Sequence, residues 1–266
     1  MMPADIPPPA VDYHQSAEYQ QVISLPATVP HREQKRGTED LVPTKIRLDA
    51  IREAAETLGV QAGLAYRYEK ITSVLNGQAQ NLERIYDFRL VMIGERVLPP
   101  IYTESRAGWS KKGRTKAVYN AVTYEVIQPA AIVSRPPNWR DYLLKRFPVK
   151  LEIPPALVPE NRAEQQAWTV GVERGWQAGM RQANHLFRLG LARLERDLVG
   201  AARYHLLVRQ GIVKKVLVQE APGQVIIEGN VLSVDQKFTQ LTRDASYQKE
   251  VGKWEPLVIS PIPTNR

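Results

Sequence analysis

The side chains that most often perform chemistry are thinly scattered in this sequence. Its four histidines, His14, His31, His185 and His205, fall at intervals that match no metal-ligand spacing, and there is no cysteine. That removes disulfides, zinc–thiolate sites and thiol catalysis, and it fits a reducing or an oxidising compartment equally. No G-x-S-x-G elbow or P-loop occurs, and no histidine lies near a plausible nucleophile in sequence. The expectation is a non-enzyme, with no catalytic, cofactor-binding or metal-binding residues.

Two polar features remain. Arg193 and Asp197, in "LARLERDLVG", are predicted to share a helix side with an apolar stripe, one turn apart. An acid or ligand role for Asp197 competes with a structural one, an i,i+4 ion pair that closes a helix contact. The structural reading is favoured, because a charge on an apolar stripe is very costly unless paired. The second feature is "TESRAGWSKKGRTK", residues 103–116, read as a loop that gathers Arg106, Lys111, Lys112, Arg114 and Lys116 around Trp109. Basic residues around an aromatic are the composition of a single-strand nucleic-acid contact. Lysine and arginine are spread along the whole chain, however, and a short basic loop is ordinarily only a solvated one. The net charge of +8 admits nucleic acid, an anionic membrane surface or an acidic partner without choosing among them.

The elements that must position these residues follow from patterning. A chain of 266 residues with 43% hydrophobic and 24% charged residues has the composition of a folded protein. No stretch reads as a membrane span, and the N-terminus lacks the basic and apolar regions of a secretory signal. Residues 1–43 are rich in Pro, Gln and charge, and are expected to form a disordered tail. In that tail Tyr13, Tyr19 and Ile23 suggest a docking motif, with a solvated linker as the favoured alternative. A first helix is expected from a Thr44 cap to Asn76-Gly77, with Leu48, Ile51, Ala55, Leu58, Ala62 and Tyr66 as its stripe. A shorter helix, an extended "RVLPPIYTE", a strand in "AVYNAVTYEVIQ" and a short helix capped by Asn138 come next. Asn161 with Glu164 three residues on is a capping-box pattern opening a long helix to about Gln210, stopped by Gly211. Beyond it, three short strands are expected, with turns at Pro222-Gly223 and Gly229-Asn230. The fold class is α+β: a helical core with a long C-terminal-half helix and a small antiparallel sheet. Residues 44–260 are read as one domain, and 261–266 as a disordered tail.

The long helix contains an oddity in "VGVERGWQAGMRQA". Gly171, Gly175 and Gly179 recur every four residues, although each interior glycine costs a helix about 1 kcal/mol relative to alanine. A bare ridge at that spacing lets a second backbone approach closely. The first helix carries its own small ridge, Gly59 and Gly63, and the two are expected to pack together. On this reading Gly175→Ala is mild and Gly175→Leu severe.

The stretches "VLPPIYTESRAGW", "RPPNWRDYLL" and "ERGWQAGMRQANHLFRLGLARLERDLVGAARYHLL" together resemble the DotC family of type IVB secretion proteins. They also resemble its counterpart in IncI-type conjugative plasmids, called TraI there. The likeness runs over about residues 47–260. It implies an envelope lipoprotein on the periplasmic face of the outer membrane, a core-complex subunit with no catalytic residues. It also implies DotD-like and DotH-like partners, with the DotH-like protein placed into the channel by the other two. Such a lipoprotein needs an N-terminal signal ending in a cysteine. The sequence has neither, so its lipid anchor is expected to lie upstream, to have been removed, or to be replaced by its partners. Trp139 and Tyr142, beside Pro136-Pro137, and Trp109 are the candidate partner-binding aromatics. A nucleic-acid-binding accessory of DNA transfer is the second-ranked function, and direct nucleic-acid contact is not the first expectation.

Overall fold

From Lys45 to Gly77 the sequence offers 33 residues without proline and with apolar residues at helical spacing, and all of them are helical. A computed structural model describes residues 12–28, 45–112, 116–228, 231–250, 252 and 254, with the backbone alone for much of 107–121 and 221–238. In chain order the elements are α1 (Ala17–Thr28), α2 (Lys45–Gly77), α3 (Ala79–Ile85), β1 (Val97–Leu98), β2 (Ile101–Lys112), β3 (Lys116–Gln128) and β4 (Ala131–Ile132). They continue with α4 (Trp139–Leu143), α5 (Arg162–Arg209), β5 (Val213–Lys214), β6 (Leu217–Glu228), β7 (Val231–Arg243) and β8 (Ser246–Tyr247). The class is α+β, and among the described residues the expected small sheet is four separate two-stranded antiparallel ones, β1-β4, β2-β3, β5-β8 and β6-β7.

The single domain expected over 44–260 divides into two compact units, each built from two stretches of chain. The first comprises residues 1–82 and 140–191, the second 83–139 and 192–266. Helix α5 supplies residues to both.

The first unit is helical. Ile51, Ala55, Leu58, Ala62 and Tyr66 of α2 form one buried cluster with Trp168, Val172 and Trp176 of α5. Tyr13, Tyr19 and Val22 belong to the same cluster, which corrects the reading of 1–43 as a disordered tail. Ser16 caps α1, its Oγ accepting the Tyr19 N–H at 3.3 Å. A 12-residue helix is marginal alone, so burial of Tyr19 and Val22 against the rest of the unit is what stabilises it. The flanking residues of that expected tail, the Thr44 cap and the 261–266 tail lie outside the described residues.

The second unit is built on the last turns of α5. Tyr204 and Leu207 share a buried cluster with Tyr102 of β2 and with Ile212, Val213 and Val216. The Tyr204 hydroxyl accepts the Val216 N–H at 2.8 Å, and Arg203 Nη1 donates to the Tyr102 carbonyl at 2.7 Å. Helix α5 ends as expected at Gly211, whose φ of 70° lies in the left-handed region that favours glycine. The Gly211 N–H donates to Val208 O and the Ile212 N–H to Leu207 O, each at 3.0 Å, the paired bonds of a Schellman motif.

Two sequence expectations fail in the strands. The loop expected at 103–116 is mostly strand, β2 and the start of β3, because a ladder is built from backbone groups and charged or polar side chains do not interrupt it. The expected turn at Pro222-Gly223 is an irregularity inside β6, where the register against β7 shifts between Ala221 and Gln224. A proline that cannot donate is tolerated on such a two-stranded ribbon, so three expected strands are two.

Candidate functional site

The glycine positions sit where α2 and α5 approach backbone to backbone. A Cβ built on Gly171 would overlap the Arg52 carbonyl and lie 2.7 Å from the Ala55 side chain. One on Gly175 would overlap the Glu56 carbonyl and lie 2.9 Å from the Val60 nitrogen. One on Gly179 would overlap the Val60 carbonyl and lie 2.6 Å from the Leu64 nitrogen. From the other side, Gly59 would place a Cβ 2.5 Å from the Val172 carbonyl, and Gly63 would overlap the carbonyl of Trp176. All five glycines are therefore excluded-volume positions of one interface. Backbone atoms cannot yield as side-chain ends do, so the expectation that Gly175→Ala is mild is corrected: a single methyl already collides.

This close crossing fixes the next face of α5, where Glu173 and Trp176 meet α1. Tyr13 donates to Glu173 Oε1 at 2.5 Å and Tyr19 to Glu173 Oε2 at 2.6 Å. Gln177 Nε2 donates to Oε1 at 2.5 Å, and His14 Nε2 lies 3.4 Å from Oε2. Trp176 is fully buried, with the Tyr13, Tyr19 and Tyr66 rings 5.9, 5.1 and 5.3 Å from its own. Trp168 Nε1 donates to the Val22 carbonyl at 3.3 Å, a second tie to α1.

Burial opposes ionisation of Glu173, but the hydroxyl and amide donors and the His14 charge outweigh it, and the carboxyl stays below its ordinary range. Burial first, then the neighbouring carboxylate, pushes the pKa of Tyr13 and Tyr19 up and keeps both hydroxyls protonated. An ionised acceptor held between neutral donors has no proton to give near neutrality. It works as a clamp, not as an acid–base pair.

A second carboxylate closes the start of α5. Glu164 is buried, and its Oε1 takes Arg47 Nε at 2.7 Å while Oε2 accepts the Glu160 N–H at 2.9 Å. Asn161 Oδ1 accepts the Glu164 N–H at 3.0 Å, so the capping pattern forms, with the return bond one residue earlier than in the usual box. Burial again opposes ionisation, and Arg47, the Glu160 backbone bond and the Asn161 side chain overcome it, holding Glu164 low. Arg47 also donates to the Ala156 and Val158 carbonyls at 2.8 and 3.3 Å, tying the proline-rich connector to α2.

The expected Arg193–Asp197 pair does not form. Asp197 is buried, but its partner is the preceding residue, with Arg196 Nη2 2.6 Å from Oδ1; Arg193 is exposed. Four residues' spacing leaves the Arg193 side chain within reach of Asp197, but Arg193 stays exposed and the carboxylate is taken by the Arg196 guanidinium instead. Trp139 is fully buried and so offers no free surface as a partner anchor; Tyr142 is half-buried. Trp109 lies in β2, opposite Tyr119 of β3, and its side chain is outside the described residues. Sequence reasoning missed Glu173 and Arg47. The i,i+3 spacing of Tyr19 and Val22 behind Ser16 was the available signal for α1.

One unit is helical and crossed on glycine ridges, and the other carries strand ribbons. The sequence profile of a family described as type IV secretory system, conjugal DNA–protein transfer (TraI) matches residues 45–256. The chain belongs to this TraI family of type IV secretory proteins. A search of curated proteins finds no match. Among the described residues no helix is long and apolar enough to cross a membrane, and no group of histidines and carboxylates could hold a metal ion. Residues 12–28, which complete the Trp176 cluster, precede the matched region.

Proposed function

We propose that this protein is a DotC-like structural subunit of a type IVB secretion or conjugation apparatus, acting on the periplasmic side of the outer membrane. The observation that carries the reading is the family match over residues 45–256, joined to the DotC-like motifs inside that range. In this role the chain helps to place a DotH-like protein, together with a DotD-like one, in the core complex. It is held at the membrane by a lipid anchor outside the present sequence or by those partners, and it performs no catalysis. The engagement of Glu173, Glu164 and Asp197 with neighbouring side chains supports a load-carrying part rather than a reactive one.

The test is co-purification from detergent-extracted envelopes, with the native upstream coding region restored. Recovery with the DotD-like and DotH-like neighbours, and loss of the DotH-like protein from outer-membrane fractions in a deletion strain, are expected. Recovery from the cytosol with neither neighbour bound would overturn the reading.

A further inference from the structure

Helix α5 changes character beyond Glu173. From Arg174 to Leu194 it contains no acidic residue, whereas Arg174, Arg181 and Arg188 recur every seven residues. Seven residues make two helical turns less about 20°, so the three arginines stay within a sector of about 40° and stand roughly 10.5 Å apart along the axis. All three are exposed, and so is His185, which lies beside them on the same face.

The other faces of this part of α5 are occupied. Gly171, Gly175 and Gly179 meet α2, while Glu173 and Trp176 meet α1. Gly190 meets α4, where a Cβ would lie 2.7 Å from the Tyr142 carbonyl. The arginine face alone is left open, and its charge is uncompensated. The Glu173 oxygens are taken by Tyr13, Tyr19 and Gln177, with His14 beside them. Among the described residues, no carboxylate lies within ion-pair distance of Arg174, Arg181 or Arg188. Two apolar side chains bracket the row. Val170 and Leu189 are each 48% exposed. They stand about 28 Å apart along the axis, each within about 60° of Arg174 around it.

We propose that this face of the first unit docks an acidic helix of a partner protein. Arg174, Arg181 and Arg188 pair with carboxylates placed every seven residues on that helix, which fixes its register. Val170 and Leu189 supply apolar contact at the two ends. A seven-residue repeat is the period at which one helix keeps facing another packed along it. A nucleic acid fits less well. Each strand of duplex DNA carries a charge about every 3.4 Å, roughly three for each arginine of the row. No Trp, Tyr or Phe stands in the arginine sector for unpaired bases to stack on. An anionic membrane also fits less well, because two apolar side chains so far apart do not make a face that inserts. The inference goes beyond the reading of the chain as a core-complex subunit and does not depend on it.

The experiment is fluorescence anisotropy of a labelled, stapled helix titrated with the full chain over a salt series. The probe carries glutamates at i, i+7 and i+14 with a leucine at either end. A second probe has the same composition, with its glutamates distributed around the helix. The first should bind, more weakly as salt rises, and the second should bind distinctly less well. Arg174→Gln, Arg181→Gln and Arg188→Gln together are expected to weaken binding roughly five-fold or more and to flatten the salt dependence. Val170→Ser with Leu189→Ser should weaken binding and leave the salt dependence as in the parent. Glutamine at the exposed Lys214, Lys215 and Lys249 should change neither. Circular dichroism melts establish that each variant is folded. The proposal is overturned by an absence of binding at low salt, by equal binding of the two probes, or by equal losses in the arginine and lysine triples. An oligothymidylate that binds the arginine face more tightly than the first probe would assign it to nucleic acid and overturn the proposal too. So would phosphatidylglycerol vesicles that do the same.

Discussion

The Tyr19 hydroxyl donates to Glu173 Oε2 at 2.6 Å, joining residues 154 positions apart, while the Tyr13 hydroxyl takes the other oxygen of the same carboxylate. One side chain of α5 thus holds two points, six residues apart, in the first half of the segment that opens the described chain. Charge-assisted bonds of this kind are worth about 1.5–3 kcal/mol each, and this pair is only partly screened by solvent.

Glu173→Ala is expected to release residues 12–28 from the first unit. The loss should be about 2 kcal/mol of stability, with early proteolytic cleavage in α1 and a red shift of the newly wetted Trp176. Tyr19→Phe removes one bond and keeps the ring, so its effect should be about half as large. An unchanged cleavage pattern in Glu173→Ala would show that the apolar contacts of Val22 and Tyr19 suffice.

Acid should loosen the same segment. Glu173 and Glu164 both titrate lower in the fold than the ordinary glutamate value of about 4.3. Their stabilisation is therefore complete above that value and is lost as pH falls through it toward the folded values. His14 is shifted the opposite way, upward, by its hydrogen bond to Asp12 and by the Glu173 charge. Its contribution is present below about pH 6.5 and is lost as pH rises through the folded value. A melting-temperature profile against pH should show the acid limb shrink in Glu173→Gln. The shallow alkaline limb should vanish in His14→Gln.

Gly175→Ala should destabilise the first unit by about 1–3 kcal/mol, since its methyl meets the Glu56 and Val60 backbone. Gly77→Ala is the matched control: nothing lies within 4 Å of its Cβ position, and it should be neutral or slightly stabilising. Thermal melts of the two variants check this directly. Equal melting of Gly175→Ala and the parent would mean that α2 and α5 can separate without loss.

In double-mutant cycles, Arg196 and Asp197 should couple by roughly 1 kcal/mol, because the carboxylate is buried and the guanidinium partly exposed. Arg193 and Asp197 should be additive. Coupling in the second cycle and not in the first would reverse the pairing described above.

The helices were legible because their signals are local. The stripe of α2, the Asn161–Glu164 opening of α5 and the Gly211 stop each need only a few neighbouring residues. The glycine ridges were legible for a related reason, since a four-residue repeat of the poorest helix former after proline has few local explanations. What failed depended on distant partners. Helix α1 looks like a tail until Glu173 and Trp176 are placed beneath it, and proline-rich flanks conceal its twelve residues. Asp197 was correctly read as a charge on a buried face, but helical spacing could not reveal that a flexible neighbour would reach it first. The basic segment around Trp109 was seen as a composition, and its strand pairing with the segment around Tyr119 needs a partner that local patterning does not identify.

The interleaving of the two units has a consequence for biosynthesis. The bare ridge at Gly59 and Gly63 has no partner until Gly171, Gly175 and Gly179 have been made, more than a hundred residues later in the sequence. At 5–20 residues per second that is a wait of roughly ten seconds, during which α2 exposes the stripe that α5 will cover. Neither unit can close while the chain is still short, because the first needs residue 191 and the second begins again at 192. A nascent chain of this design cannot close its first unit until Leu191 has been made, nor its second until still later. That keeps it available to a holding chaperone or a translocase, and makes late truncations far more damaging than their length suggests.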